Sequence, residues 1–276
     1  MTSRMPPPLR PVRHELRFLL PPSLGAEAAH ERGERLAAFL TRAADRPVEV
    51  SVASAYDALA RDLLAGRVDA AWAPPFVCAR VESMGARVVV RGVRDGVSVY
   101  RAALVCREDG PAHLEGLSGT RAVWVDEDLV AGYLLPLALL RARGMNPSKT
   151  FFSQTFAGSY RAALAAVAEG RADVTSAFAP ARREARPDVT AIPEIAPEWA
   201  SRFRVLAFTE EAPNDGVVVS PVSDPQALEV LERVLLTLGD TPEGRALLKE
   251  AFDADAIEPA PRLGYRALYR VALSTL

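Results

Sequence analysis

Cysteine and histidine are scarce in this chain, which holds two of the first (Cys78 and Cys106) and three of the second (His14, His30 and His113) in 276 residues. Two cysteines in apolar surroundings read as buried thiols, not as a disulfide framework or a redox pair. The histidines lie far apart and no Cys/His cluster has metal-ligand spacing, so no metal and no cofactor are expected. No apolar run approaches the roughly 20 residues that cross a bilayer, so no membrane span is expected. A surplus of one charge is missing too: 33 basic and 35 acidic side chains leave a net charge of −2. With both signs interspersed, no basic face for a nucleic acid is implied.

A secretory h-region is also missing. Residues 1–14 carry Arg4, Arg10 and Arg13 around Pro6, Pro7 and Pro8. The apolar stretch at 16–20 is interrupted by Arg17 and ended by Pro21 and Pro22, so it reads as a first strand. The chain as written is expected to be cytoplasmic, or periplasmic if a leader has been removed.

What is present is alternation. Strand-like stretches at 16–20, 48–52, 70–73, 88–90 and 99–106 are interleaved with helical ones at 26–44 and 56–65. The pattern restarts with strands at 122–125, 151–156 and 173–178 around helices at 132–143 and 160–169. From Ser220 onward helices are expected, at 224–238, 242–252 and near 265–273. Such alternation predicts an α/β fold with mostly parallel sheets flanked by helices.

One segment echoes another. The run from Tyr56 to Asp69 and the run from Tyr160 to Asp173 both begin with Tyr and end in Gly-Arg-x-Asp. Each is a helix that stops at a glycine and turns into a strand. Either two units have converged on the same turn chemistry, or two similar lobes face each other, each offering a Tyr at a helix start. In open α/β sheets, that end of the helix lies where ligands bind.

With these elements placed, the chain resembles the phosphonate/phosphite/phosphate-binding components of ABC importers, which have the type II periplasmic-binding-protein fold. The resemblance runs from Leu16 to Tyr269. It is carried by Gly66-Arg-Val-Asp-Ala-Ala-Trp72, Tyr100-Arg-Ala-Ala-Leu-Val, Leu114-Glu-Gly-Leu-Ser-Gly119, Gly132-Tyr-Leu-Leu-Pro136, Phe156-Ala-Gly-Ser-Tyr160, Pro213-Asn-Asp215 and Thr241-Pro-Glu-Gly244, in that order. It implies two lobes, the first from 15–107 with 209–276 and the second from 108–208, after an N-terminal tail at 1–14. The chain would cross between lobes near Cys106 and Phe208. A small-molecule ligand would bind in the cleft, and an ABC permease would be the partner. Carried over residue by residue, the resemblance makes Tyr56, Tyr100 and Asp215 ligand-binding candidates, with the backbone at Gly132 and with Ser159 and Tyr160 at the second helix start.

The oxyanion loop of this family reads roughly V-D-P-x-S-T-S-G-Y. Here the stretch is Val125-Asp-Glu-Asp-Leu-Val-Ala-Gly-Tyr133, so Leu129, Val130 and Ala131 occupy the hydroxyl positions. A hydrogen bond to a charged group contributes about 1.5–3 kcal/mol. Three lost donors therefore amount to several kcal/mol, on the order of a thousandfold in affinity. Glu127 and Asp128 oppose an anion further, and where many members have His this chain has Tyr160. Arg101 and Arg161, next to the cleft tyrosines, are the basic residues available to replace the donors. Trp72 follows a strand and reads as core.

Three functions are compatible with these observations. The first is a solute-binding-like protein, not an enzyme, for a small ligand more apolar than phosphonate. The second is a cytosolic enzyme of the same fold acting on a small carboxylate, with only Asp126 or Asp215 to serve as acid or base. The third is a binding-incompetent interaction module whose cleft is filled by its own side chains.

Overall fold

In the computed structural model, residues 15–22, 26–181, 189–261, 265, 266 and 268 are described. The expected tail at 1–14 and most of the final helix near 265–273 lie outside them. The chain begins with β1 (Leu16–Leu20), α1 (Ala26–Ala44), β2 (Val48–Val52), α2 (Tyr56–Leu64), β3 (Ala70–Ala73), α3 (Pro75–Ser83) and β4 (Arg87–Val93). It continues with β5 (Val99–Arg107), β6 (Arg121–Trp124), a π-helical turn (Val130–Leu134), α4 (Leu135–Ala142), α5 (Pro147–Thr150), β7 (Ser153–Phe156), α6 (Tyr160–Ala168) and β8 (Val174–Pro180). Then come α7 (Ile192–Ile195), β9 (Phe203–Phe208), β10 (Ala212–Pro213), β11 (Gly216–Val219), α8 (Pro225–Leu236), α9 (Pro242–Phe252) and β12 (Ala256–Pro259).

These strands form two sheets. The first has the order β12-β4-β11-β3-β1-β2, and the second β10-β5-β8-β6-β7, with β9 also paired to β5. Within each sheet the strands of the echoed unit are parallel: β1 with β2 and β3, β6 with β7 and β8. Strands arriving from elsewhere in the chain are antiparallel, β11 between β3 and β4 and β5 beside β8. Each sheet is thus mixed, where alternation alone suggested mostly parallel pairing.

The echo extends well beyond the 14 matching positions. The Arg17 N–H donates to Asp69 Oδ2 at 2.9 Å, and the Arg121 N–H donates to Asp173 Oδ2 at 2.8 Å, each across 52 residues. Ala53 N–H reaches the Leu20 carbonyl at 3.0 Å, and Ala157 N–H the Trp124 carbonyl at 2.9 Å. All of these pairs stand at one offset, 104 residues (121 − 17, 173 − 69, 157 − 53). A β–helix–β–α–β unit therefore occurs twice in the same register. In both copies the helix ends at a glycine with positive φ, +66° at Gly66 and +75° at Gly170. That left-handed turn costs a side-chain-bearing residue about 1–2 kcal/mol and glycine little.

The cores follow from the apolar strand faces. Phe18, Trp72 and Phe252 pack edge to face under the first sheet, with Leu36 and Leu40 of α1 fully buried beside them. Trp72, 3% exposed, is a core residue. Trp124 anchors the second sheet against Phe151 and Tyr133. One apolar cluster spans both halves, joining Leu59, Val77 and Cys78 to Val130, Ala131 and Leu134. Cys78 and Cys106 are free and buried, and burial pushes both thiols up, which keeps them protonated.

The crossings between sheets differ from expectation. β5 and β9 flank the expected points near Cys106 and Phe208, yet both belong to the second sheet. β5 is buried along nearly its whole length and is paired on both edges, so no crossing can occur within it. The chain instead changes sheet between Val93 and Val99 and again between Pro213 and Gly216. The two crossing segments are tied together: Asn214 N–H donates to the Ser98 carbonyl, and Asn214 Nδ2 donates to the carbonyls of Gly92 and Val97.

Candidate functional site

A cavity of about 500 Å³ lies between the two sheets, at the crossings. Both halves of the molecule line it. Tyr56 and Tyr160 do so from matching positions, the first residues of α2 and α6. α3 and its start contribute Pro74, Pro75, Phe76, Val77 and Arg80. The π-helical turn contributes Val130 and Ala131, with Leu129 just before it. Three of the chain's six tyrosines, Tyr56, Tyr100 and Tyr160, share this wall.

At the deep end, Tyr100 is 9% exposed and its ring stacks on Phe178 with centroids 5.4 Å apart. Among the described residues, its hydroxyl has no hydrogen-bond partner. Burial and the Asp215 carboxylate hold that phenol well above its ordinary range, and burial does the same to Tyr160. Both hydroxyls therefore stay neutral donors. Asp215 pairs with Arg94 across the crossing, Oδ2 to Nη2 at 2.5 Å. Burial raises the Asp215 carboxyl while the Arg94 guanidinium pulls it back.

The other end is acidic. Arg80 Nη2 lies 2.8 Å from Asp57 Oδ1, so this cation is matched by its own carboxylate. Asp126 and Asp128 stand beside them on the cavity wall, and among the described residues neither makes an ion pair. Asp126 Oδ1 accepts the Asp128 N–H at 2.9 Å, a local turn bond that leaves the negative charge in place. Burial, then Asp126, raises the Asp128 carboxyl. Among the described residues, four carboxylates (Asp57, Asp126, Asp128, Asp215) thus face two guanidiniums (Arg80, Arg94).

Of the positions singled out in the sequence, Tyr56, Tyr100, Leu129, Val130, Ala131, Tyr160 and Asp215 come together here. Gly132 and Ser159 are not on the wall. Gly132 supports the turn from behind: its carbonyl accepts the Ser176 hydroxyl at 2.9 Å, and a Cβ there would meet Leu129 and Val125 at 2.7 Å. The Ser159 hydroxyl caps α6, accepting the Ala162 N–H at 3.2 Å. Arg101 and Arg161 do not supply the replacement donors. Arg101 is buried with its guanidinium 3.7 Å over the Phe208 ring, and Arg161 binds the Ile195 carbonyl and Glu198. Among the described residues, the basic side chains on this wall are Arg80 and Arg94, which sequence reasoning did not single out. No side chain of the described residues fills the cleft.

Known structures share this two-lobed arrangement. XAC2383 from Xanthomonas citri, solved bound to ATP, matches with a TM-score of 0.76 and 20% identity, over 95% of this chain and 97% of that one. PhnD1 from Prochlorococcus marinus, solved with methylphosphonate, gives 0.69 and 17% over 95% and 99%. PA3383 from Pseudomonas aeruginosa, a binding component of an ABC phosphonate transporter, gives 0.66 and 16% over 95% and 86%. The fold is that of the two-lobed α/β binding proteins. Residues 18–262 match the model of the phosphonate ABC transporter periplasmic substrate-binding proteins, and the chain belongs to that family. The family is one of ligand-binding transport components that work in the periplasm.

Proposed function

We propose that this chain captures a small organic ligand with a large apolar face, not phosphonate, in the cavity between its sheets, and presents it to an ABC permease. One observation carries the reading: at the turn where the family offers hydroxyls, this chain presents Leu129, Val130 and Ala131 to the cavity. The surrounding charge supports it. Both guanidiniums are matched by carboxylates at 2.5 and 2.8 Å, so neither is free to neutralise an oxyanion. A polyanion such as ATP meets the same two unmatched carboxylates. Aromatic and aliphatic side chains dominate the remaining wall, as in sites that bind by burying apolar surface. The lobes close on the ligand about the two crossings, and the periplasm is the compartment this reading expects.

The same wall gives little support to catalysis. Among the described residues lining the cavity there is no serine, cysteine, histidine or lysine, and Asp215 is held by Arg94. The test is a thermal-shift and scattering screen of methylphosphonate against small aromatic and amphipathic metabolites. An amphipathic compound should raise Tm and compact the protein, while methylphosphonate should do neither at millimolar concentration. Tight methylphosphonate binding would overturn the reading, and so would turnover of a small carboxylate.

A further inference from the structure

We infer that the ligand carries a protonated amine or quaternary ammonium at one end of its apolar body, an inference that rests on the cleft-binding reading above and names its ligand class. The cavity has two chemically distinct ends. One holds Asp57, Arg80, Asp126 and Asp128, two negative charges in excess among the described residues, with the unmatched carboxylates on the turn that precedes Leu129. The other holds the neutral Arg94–Asp215 pair and Tyr100, a cavity-lining residue only 9% exposed whose hydroxyl has no partner among the described residues. Phe76, Phe178 and Leu129 add apolar surface to the same wall. A cation at the acidic end meets two exposed, uncompensated carboxylates, an attraction that added salt screens. A hydroxyl or carbonyl at the far end of the ligand would satisfy Tyr100. An anion at the acidic end would meet repulsion instead.

The experiment is calorimetric titration of the full chain at low salt with three compounds sharing one ring: 2-phenylethylamine, 2-phenylethanol and benzylphosphonate. The amine should bind about tenfold or more tighter than the alcohol, the phosphonate most weakly, and the amine's advantage should shrink as salt is raised. In the Asp126→Asn/Asp128→Asn double variant that advantage of the amine over the alcohol should vanish. Both positions are exposed, and the amide oxygen introduced by Asp126→Asn still accepts the backbone N–H of position 128, so circular dichroism should show an intact fold. If the alcohol or the phosphonate matches the amine, or the double variant keeps the preference, the cationic assignment is wrong while the cleft stands as a binding site. If none of the three binds at millimolar concentration, the cleft reading falls with it.

Discussion

The two copies of the repeated unit share their register, yet only one keeps an unbroken first helix. In the first copy α1 runs for 19 residues between β1 and β2. In the second, the same span holds the π-helical turn, then α4, then the single turn α5. Pro136 sits in the first turn of α4, where its missing N–H costs nothing, and the wider π turn lies just upstream of it. That turn brings Leu129–Ala131 to the cavity. A second difference lies at the paired helix starts. Ser159 caps α6, whereas Ala55 leads into α2 with nearly the same backbone (φ −160°, ψ 160° against −154°, 155°) and no side-chain cap. The scaffold is duplicated, and the chemistry sits where the copies diverge.

The strongest way to break the symmetry is at the two aspartate clamps. Asp69 is 6% exposed and also accepts the Ser223 hydroxyl at 2.6 Å, whereas the Asp173 side chain is about a quarter exposed. Asp69→Ala is therefore expected to lose about 2–3 kcal/mol of unfolding free energy and Asp173→Ala about 1–2, by denaturant titration. Equal losses would show that the difference in burial does not set what each clamp contributes. pH sharpens the contrast. The Arg121 guanidinium beside Asp173 holds its carboxyl below the usual range, so the folded state binds fewer protons than the unfolded one. That contribution is present above an unfolded value of about 3.9 and is lost as pH falls through the lower folded value. Asp173→Asn should flatten stability in that acid window and leave its pH dependence above pH 6 unchanged.

A smaller effect is expected at the two glycine turns. Gly66→Ala and Gly170→Ala should each cost about 1–2 kcal/mol through positive φ. The first should cost more, because its Cβ would press into Val222 Cγ2 whereas the second meets only the movable end of Arg107. Smallest are the caps. Ser159→Ala should lower stability by about 1 kcal/mol, and Ala55→Ser should raise it by several tenths of that. If Ala55→Ser has no effect on Tm, the α2 start is not a vacant cap position.

Much of this was legible in sequence because it is local. The echo from Tyr56 and Tyr160, the glycine stops and the hydrocarbon at Leu129–Ala131 are all contiguous patterns. The antiparallel β11 was missed: four apolar residues after a Pro-Asn-Asp turn carry no period, and their partners lie on β3 and β4, far away in the chain. For the same reason the crossings were expected in the wrong places, since β5 reads as a strand whichever sheet receives it. Arg94 was invisible as a site residue because its partner Asp215 lies 121 residues away. Arg101 and Arg161 stood nearer in sequence to the cleft tyrosines, but strand alternation and helix geometry direct their side chains elsewhere.

The central claim is that one small molecule is held by both halves at once. Hydrogen–deuterium exchange of the full chain, with and without the screened compound that raises Tm most, tests it directly. Peptides covering 56–80 and 126–134 should gain protection together, at the same ligand concentration. Protection confined to one half, or appearing only on surfaces away from Tyr100, would contradict it.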